Sequence, residues 1–317
     1  MPSAAAISQT ARYPRVILGA CVVPWQADDA LDDALFRRTV RHTAAHLSRH
    51  LYIFGTAGEG HAVTDRQFET TTRAFLEAMH AADSTPMIGV ISLSLGTIIE
   101  RIALARSHGA REFQISLPSW GALNDRELDV FFAETCGRFP DVRFLHYNLA
   151  RTNRLLTGAD YARLAARHPN LVAIKMGGEN VAALRDVAQA AGAAGVRCFF
   201  TEFGDHALRE EVGNGLLCAL GACDPAFARR WFAAPRDERA QLEPAFRAIH
   251  AAAKAALAGS AHMDGAYDKL YMKRHFPELP LRLLPPYAGA TDEQFARFRV
   301  ASDAALATAP TTSIPVT

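Results

Sequence analysis

Three short stretches place reactive groups where apolar runs end. Gly55-Thr56-Ala57-Gly58-Glu59-Gly60 begins at the close of LYIFG, Tyr147-Asn148 ends VRFLHY, and Lys175 closes LVAIK. An ammonium at a dry strand end is poorly solvated, which moves its pKa toward neutrality and frees the amine as a nucleophile. Lys175 shares strand parity with Ala173, so a small neighbour leaves room for the long side chain if that face points inward. A strand-end lysine on its own is ordinarily a rim residue that snorkels to water, and its companions alter that reading. Tyr147 ends the preceding strand, and neighbouring strands lie roughly 4.8 Å apart, so phenol and amine can reach one small ligand. A phenol can relay protons to a carbinolamine, although alone it is equally well a core aromatic with its hydroxyl at the rim. The glycine-flanked turn offers closely spaced N–H groups that suit a carboxylate nest, and Thr56 adds a hydroxyl. Tight turns after strands are often glycine-rich, so the conjunction carries the weight.

The elements that must position these groups follow from the hydrophobic pattern. Eight β-rich runs occur at 16–23, 51–55, 86–91, 112–117, 142–147, 171–175, 197–202 and 216–220. Several are continuously apolar, as expected of strands buried on both faces. Between them lie helical segments such as DDALFRRTVRHTAAHL and TDRQFETTTRAFLEAM, behind Asp or Thr cap signals. Eight strand and crossover units by about residue 225 predict a closed (β/α)₈ TIM barrel over 14–224, with its active site at the C-terminal strand ends. From Asp224-Pro225 the pattern is helical, giving a C-terminal helical extension over 225–308 packed on the barrel. Residues 1–13 and 309–317 read as disordered tails.

Composition bounds the partners. With 34 basic and 33 acidic residues the chain carries a formal charge of +1, no footprint for nucleic acid or an anionic membrane. No 18-residue apolar run and no signal-peptide h-region is present, and five cysteines without metal-ligand spacing fit reduced thiols in a cytoplasmic protein. Small molecules are the expected partners.

YIFGTAGEGHAVTDRQF, LHYNLA and HPNLVAIKMGG together resemble the dihydrodipicolinate synthase / N-acetylneuraminate lyase family, in order and spacing, from about residue 14 onward. Thr201-Glu202-Phe203-Gly204-Asp205 is similar to that family's strand-7 Gly-Asp segment, and Gly215-Leu216-Leu217-Cys218 to its strand-8 stretch beside the bound oxo acid. The resemblance implies a class I pyruvate aldolase or lyase, a homotetramer or homodimer, with no metal or organic cofactor. On matching positions, Lys175 is the Schiff-base lysine, Tyr147 the proton relay, and Thr56 with the amide of Ala57 the carboxylate holder, with Gly58 in the same turn and Leu217 beside the oxo acid. The implied substrates are a 2-oxo acid and an aldehyde, or a 2-oxo sugar acid to be dehydrated.

Three departures bear on the subfamily. Ala57 stands where the family turn has a second hydroxyl residue, Pro118-Ser119-Trp120 replaces a Pro-Tyr-Tyr segment, and Leu149-Ala150-Arg151-Thr152 lacks a proline and brings its arginine one position early. They argue against dihydrodipicolinate synthase proper and leave Trp120 and either Arg151 or Arg154 as contacts to a second substrate. Glu202 is a substrate contact or a structural acid, and Glu59 braces its turn. Two other readings exist. His42, His46 and His50 recur at helical spacing and could share a face, for a metal or simply as a solvated basic surface. A non-catalytic relative that binds a 2-oxo acid is the other.

Overall fold

The apolar runs become strands buried on both faces, and parallel pairing in chain order leaves no strand edge uncovered. In the computed structural model, which describes residues 11–310, the strands are β1 (Ile17–Ala20), β2 (His50–Ile53), β3 (Thr85–Gly89), β4 (Glu112–Ile115), β5 (Arg143–Asn148), β6 (Leu171–Met176), β7 (Arg197–Phe200) and β8 (Gly215–Cys218). Each pairs in parallel with the next, and β8 returns to β1 to close the barrel. The crossover helices are α1 (Asp33–His46), α2 (Asp65–Ala81), α3 (Leu95–Ser107), α4 (Asp125–Phe132), α5 (Gly158–Arg167), α6 (Val181–Ala193) and α7 (Glu202–Val212). Their starts follow the expected cap chemistry. Asp32 accepts from the Leu35 amide, and Thr64 with Gln67 and Thr157 with Asp160 form capping boxes.

Most strands are shorter than their apolar runs. The run 197–202 stops at Phe200 because Thr201 is the N-cap and Glu202 the first residue of α7. Beyond Asp224, which caps α8 (Pro225–Ala233), come α9 (Arg236–Leu257), α10 (Asp264–Lys273) and α11 (Asp292–Ala307). An apolar cluster joins these helices to Ile17 of β1 and Leu216 of β8.

Two expectations change. Of the tails, residues 1–10 and 311–317 lie outside the described residues, but Arg12 and Tyr13 belong to the fold. The Tyr13 hydroxyl donates to Glu112 at 2.7 Å and Arg143 donates to the same carboxylate at 3.0 Å, a polar plug at the N-terminal end of the barrel. Above it lies an apolar layer of Leu18, Met87, Leu145, Ala173 and Phe199. The three histidines do not share a helix face, because α1 ends at His46 and His50 begins β2. His42 is half-buried between the rings of His46 (4.5 Å) and His275 (4.9 Å), and burial lowers its pKa to about 4, so it is not part of a charged, solvated surface.

Candidate active site

Strand parity aims Lys175 and Tyr147 into the barrel mouth, as Ala173 implied. The two are register partners across β5 and β6, and the Lys175 Nζ lies 3.9 Å from the centre of the Tyr147 ring. Lys175 is 3% exposed and donates to the Tyr52 hydroxyl at 2.9 Å and to Gln114 Oε1 at 3.3 Å. None of those partners carries a negative charge to offset burial, so the pKa of Lys175 falls to about 7, with Asp264 and Asp268 pulling weakly the other way. Burial raises Tyr147 to about 12, opposed by a hydrogen bond with Thr56. The amine is therefore partly neutral at physiological pH beside a phenol that keeps its proton.

Two cavities open at this mouth, each of about 330 Å³. The inner one is lined by Lys175, Tyr147, Tyr52, Ala57, Leu217 and Thr201 from the barrel, and is roofed by Asp264 and Asp268 of α10. The outer one holds Thr56, Ser92, Ser116, Ser119, Trp120 and Arg151. Tyr147 of the inner cavity and Thr56 of the outer one are neighbours, close enough for Thr56 to pull the Tyr147 pKa down.

The turn after β2 owes its shape to unusual backbone. Phe54 and Glu59 both have left-handed φ, near 60°, which is costly for residues with side chains. The Phe54 carbonyl is wedged against Gly60 and Gly89, where any Cβ would lie 2.1 and 2.4 Å from its oxygen, so only glycine fits. Gly58 is likewise a packing residue: its missing Cβ lets the turn approach the Phe54 amide and the Cys21 carbonyl, and it lines neither cavity. Glu59 braces the turn, as expected, and reaches further. It accepts from Trp25 (3.0 Å), the Leu284 amide (2.6 Å) and Lys269 of α10 (2.7 Å), in a fully buried ion pair. A Cβ at Gly265 would lie 3.1 Å from the Ala57 carbonyl oxygen, so the glycine lets α10 sit close over the turn.

The remaining residues expected at the site fall in different places. Leu217 and Ala57 line the inner cavity. Trp120, 89% exposed, stands at the rim of the outer cavity, away from Lys175. Arg151 also faces the outer cavity and pairs with Asp264 at 3.2 Å, whereas Arg154 is tied to Asp125, Asp160 and the Leu123 carbonyl. Asn148 clamps the loop that carries Arg151, exchanging two 2.9 Å hydrogen bonds with Leu156. Glu202 does not reach either cavity: its buried carboxyl accepts from the Leu220 amide and bonds Cys218, bracing the end of β8. Sequence reasoning missed Tyr52, Gln114, Asp264 and Asp268. Tyr52 and Gln114 share strand parity with His50 and Glu112, the other polar residues of β2 and β4, and that parity was a usable signal.

A closed parallel barrel with a buried, partly neutral lysine at its C-terminal mouth has the architecture of class I aldolase-type lyases. The chain matches the dihydrodipicolinate synthetase family over residues 13–196, more than half of its 317 residues, and belongs to that family. No curated protein sequence matches it. Similar solved structures include YagE, a prophage protein of the dihydrodipicolinic acid synthase family from E. coli K12 in complex with pyruvate (17% identity, 92% of this chain and 98% of that one, TM-score 0.81). N-acetylneuraminate lyase of Proteus mirabilis (15%, 92% and 98%, 0.78) and dihydrodipicolinate synthase of Thermotoga maritima (17%, 92% and 98%, 0.76) share the fold at similar distance.

Proposed function

We propose that the protein is a lyase in which Lys175 forms a Schiff base with a 2-oxo acid such as pyruvate, to make or break a carbon–carbon bond or to dehydrate a 2-oxo sugar acid. The observation that carries this reading is a lysine buried to 3% exposure without an ion-pair partner among the described residues, lowered to about 7 and flanked by two phenols. A neutral amine can add to a ketone, and the resulting iminium withdraws electrons so that C3 can lose a proton or a C3–C4 bond can break. Thr56 and the Ala57 amide would hold the acid's carboxylate, and Tyr147, with Thr56 beside it, would relay protons. The outer cavity, with six hydroxyl side chains and Arg151, complements an acceptor that carries hydroxyls and a negative charge.

Borohydride reduction in the presence of pyruvate, followed by mass spectrometry of the peptide containing Lys175, tests this. A reduced adduct on Lys175 is expected, forming faster as pH rises through about 7. No adduct, or one on Lys254 in the same cavity, would defeat the proposal.

A further inference from the structure

The inner cavity contains an acid that the assignments above leave without a task. Asp264 and Asp268 stand one turn apart on α10, hence on one face of the helix, and both line the cavity that Lys175 lines. Asp264 is bound by Arg151. Asp268 is 7% exposed and has no hydrogen-bond or ion-pair partner among the described residues. Burying a carboxyl without a partner costs stability, and nothing in the packing of α10 repays it. The charges that act on it come from three elements: Asp264 on its own helix, Lys175 on β6 and Glu202 on α7. Burial, then Asp264, push its pKa well above the ordinary carboxylic range, which favours the protonated form.

We propose that Asp268 carries the proton to and from the substrate held on Lys175, an inference that rests on the Schiff-base reading above. The Lys175 amine adds to C2 of the 2-oxo acid, and its proton passes to the former carbonyl oxygen, giving a neutral carbinolamine. Asp268 donates its proton to that hydroxyl, which leaves as water. An iminium and the Asp268 carboxylate remain. The carboxylate then takes a proton from C3, the C–H electron pair forms the enamine, and Asp268 is protonated again. Amine and ketone have become enamine and water, with no net proton gained or lost. In the reverse direction the same carboxyl returns the proton to C3. Two acids in one cavity thus divide the work, with Tyr147 relaying protons on the Thr56 side and Asp268 exchanging them with the substrate at C2 and C3.

Pyruvate alone suffices for the test, because exchange of its C3 protons into D₂O, followed by NMR, needs no second substrate. D268N loses no hydrogen bond and is expected to melt no lower than the wild type. Its Lys175 should be reduced by borohydride more slowly but still to completion on long incubation, because trapping is irreversible, while C3 exchange falls by about 100-fold or more. In D268A, added formate or acetate should restore part of the exchange, a recovery that a purely structural role would not give. Wild-type exchange in D268N overturns the proposal, because it places the carboxyl outside the proton path, and a D268N chain that does not fold overturns its premise, that the carboxyl makes no bond on which the fold depends. Failure of rescue in a folded D268A counts against it as well. Absence of any Lys175 adduct in the wild type would instead defeat the Schiff-base reading on which it rests.

Discussion

Lys175 carries a thermodynamic signature separate from its chemistry. Because its pKa is lower in the fold than in the unfolded chain, the charged form opposes folding. That penalty is present in full below about pH 7 and disappears as pH rises toward the ordinary lysine value of 10.5. Lys175→Met removes the charge and gives up the hydrogen bonds to Tyr52 and Gln114. The net expectation is a gain of about 1–3 kcal/mol at pH 6, read as a higher Tm, with the gap to wild type narrowing by pH 10. A variant that melts below wild type at pH 6 would show that the lysine is not the source of strain assumed for it. At this scale the sequence was informative where a reactive side chain closed an apolar run. Lys175 and Tyr147 were legible because strand parity and strand order place them side by side. Tyr52 sits mid-run in β2, where no run end marked it. Gly58 was read as a ligand contact because a glycine that serves a ligand and one that serves a backbone carbonyl look alike in one dimension.

Among the elements, α10 contributes more to the site than its sequence suggested. Helical periodicity shows that residues 264–273 have faces but not what those faces cover, and the contact that settles the question joins residues 210 positions apart. Asp264 and Asp268 were therefore invisible as site residues, and the extension looked like packing alone. The buried Lys269–Glu59 pair holds α10 over the mouth. Lys269→Met strands the Glu59 carboxylate with its two remaining donors and is expected to cost about 3–5 kcal/mol, measured as a lower urea midpoint. Adding Glu59→Gln should recover a good part of that loss, and a double-mutant cycle reads the coupling directly. If the two single variants prove additive, the pair does not anchor the helix. Glu202 shows the opposite error: an acid at a strand end in sequence turns out to start α7 and fasten β8.

Among the described residues, two large apolar clusters share the barrel wall, outside the smaller layer that fills the barrel's interior. One fills the layer between strands and α1–α6, and the other sets α8–α11 against β1 and β8. Trp25 is buried in the first and Trp231 in the second. In a Trp120→Phe background, fluorescence therefore reports both halves, and its urea transition is expected to superimpose on far-UV circular dichroism. Two separate transitions would make the C-terminal helices an independent unit. The fold itself was legible because eight apolar runs at regular spacing admit few other closures. The plug of Tyr13, Glu112 and Arg143 was not, since its members come from three distant points in the chain.

The reach of Glu59 to Lys269 also sets a clock. At ordinary translation speeds of about 5–20 residues per second, the 210 intervening positions take roughly 10–40 s to emerge from a ribosome. For the roughly 5–20 s between the emergence of Lys175 and that of Lys269, a nascent chain can expose the amine without its roof, as a hydrated, fully charged ammonium with little appetite for carbonyl compounds. Reactivity toward cellular aldehydes and ketones arrives only once α10 has emerged and folded over the mouth, so chains that have not reached it are chemically quiet.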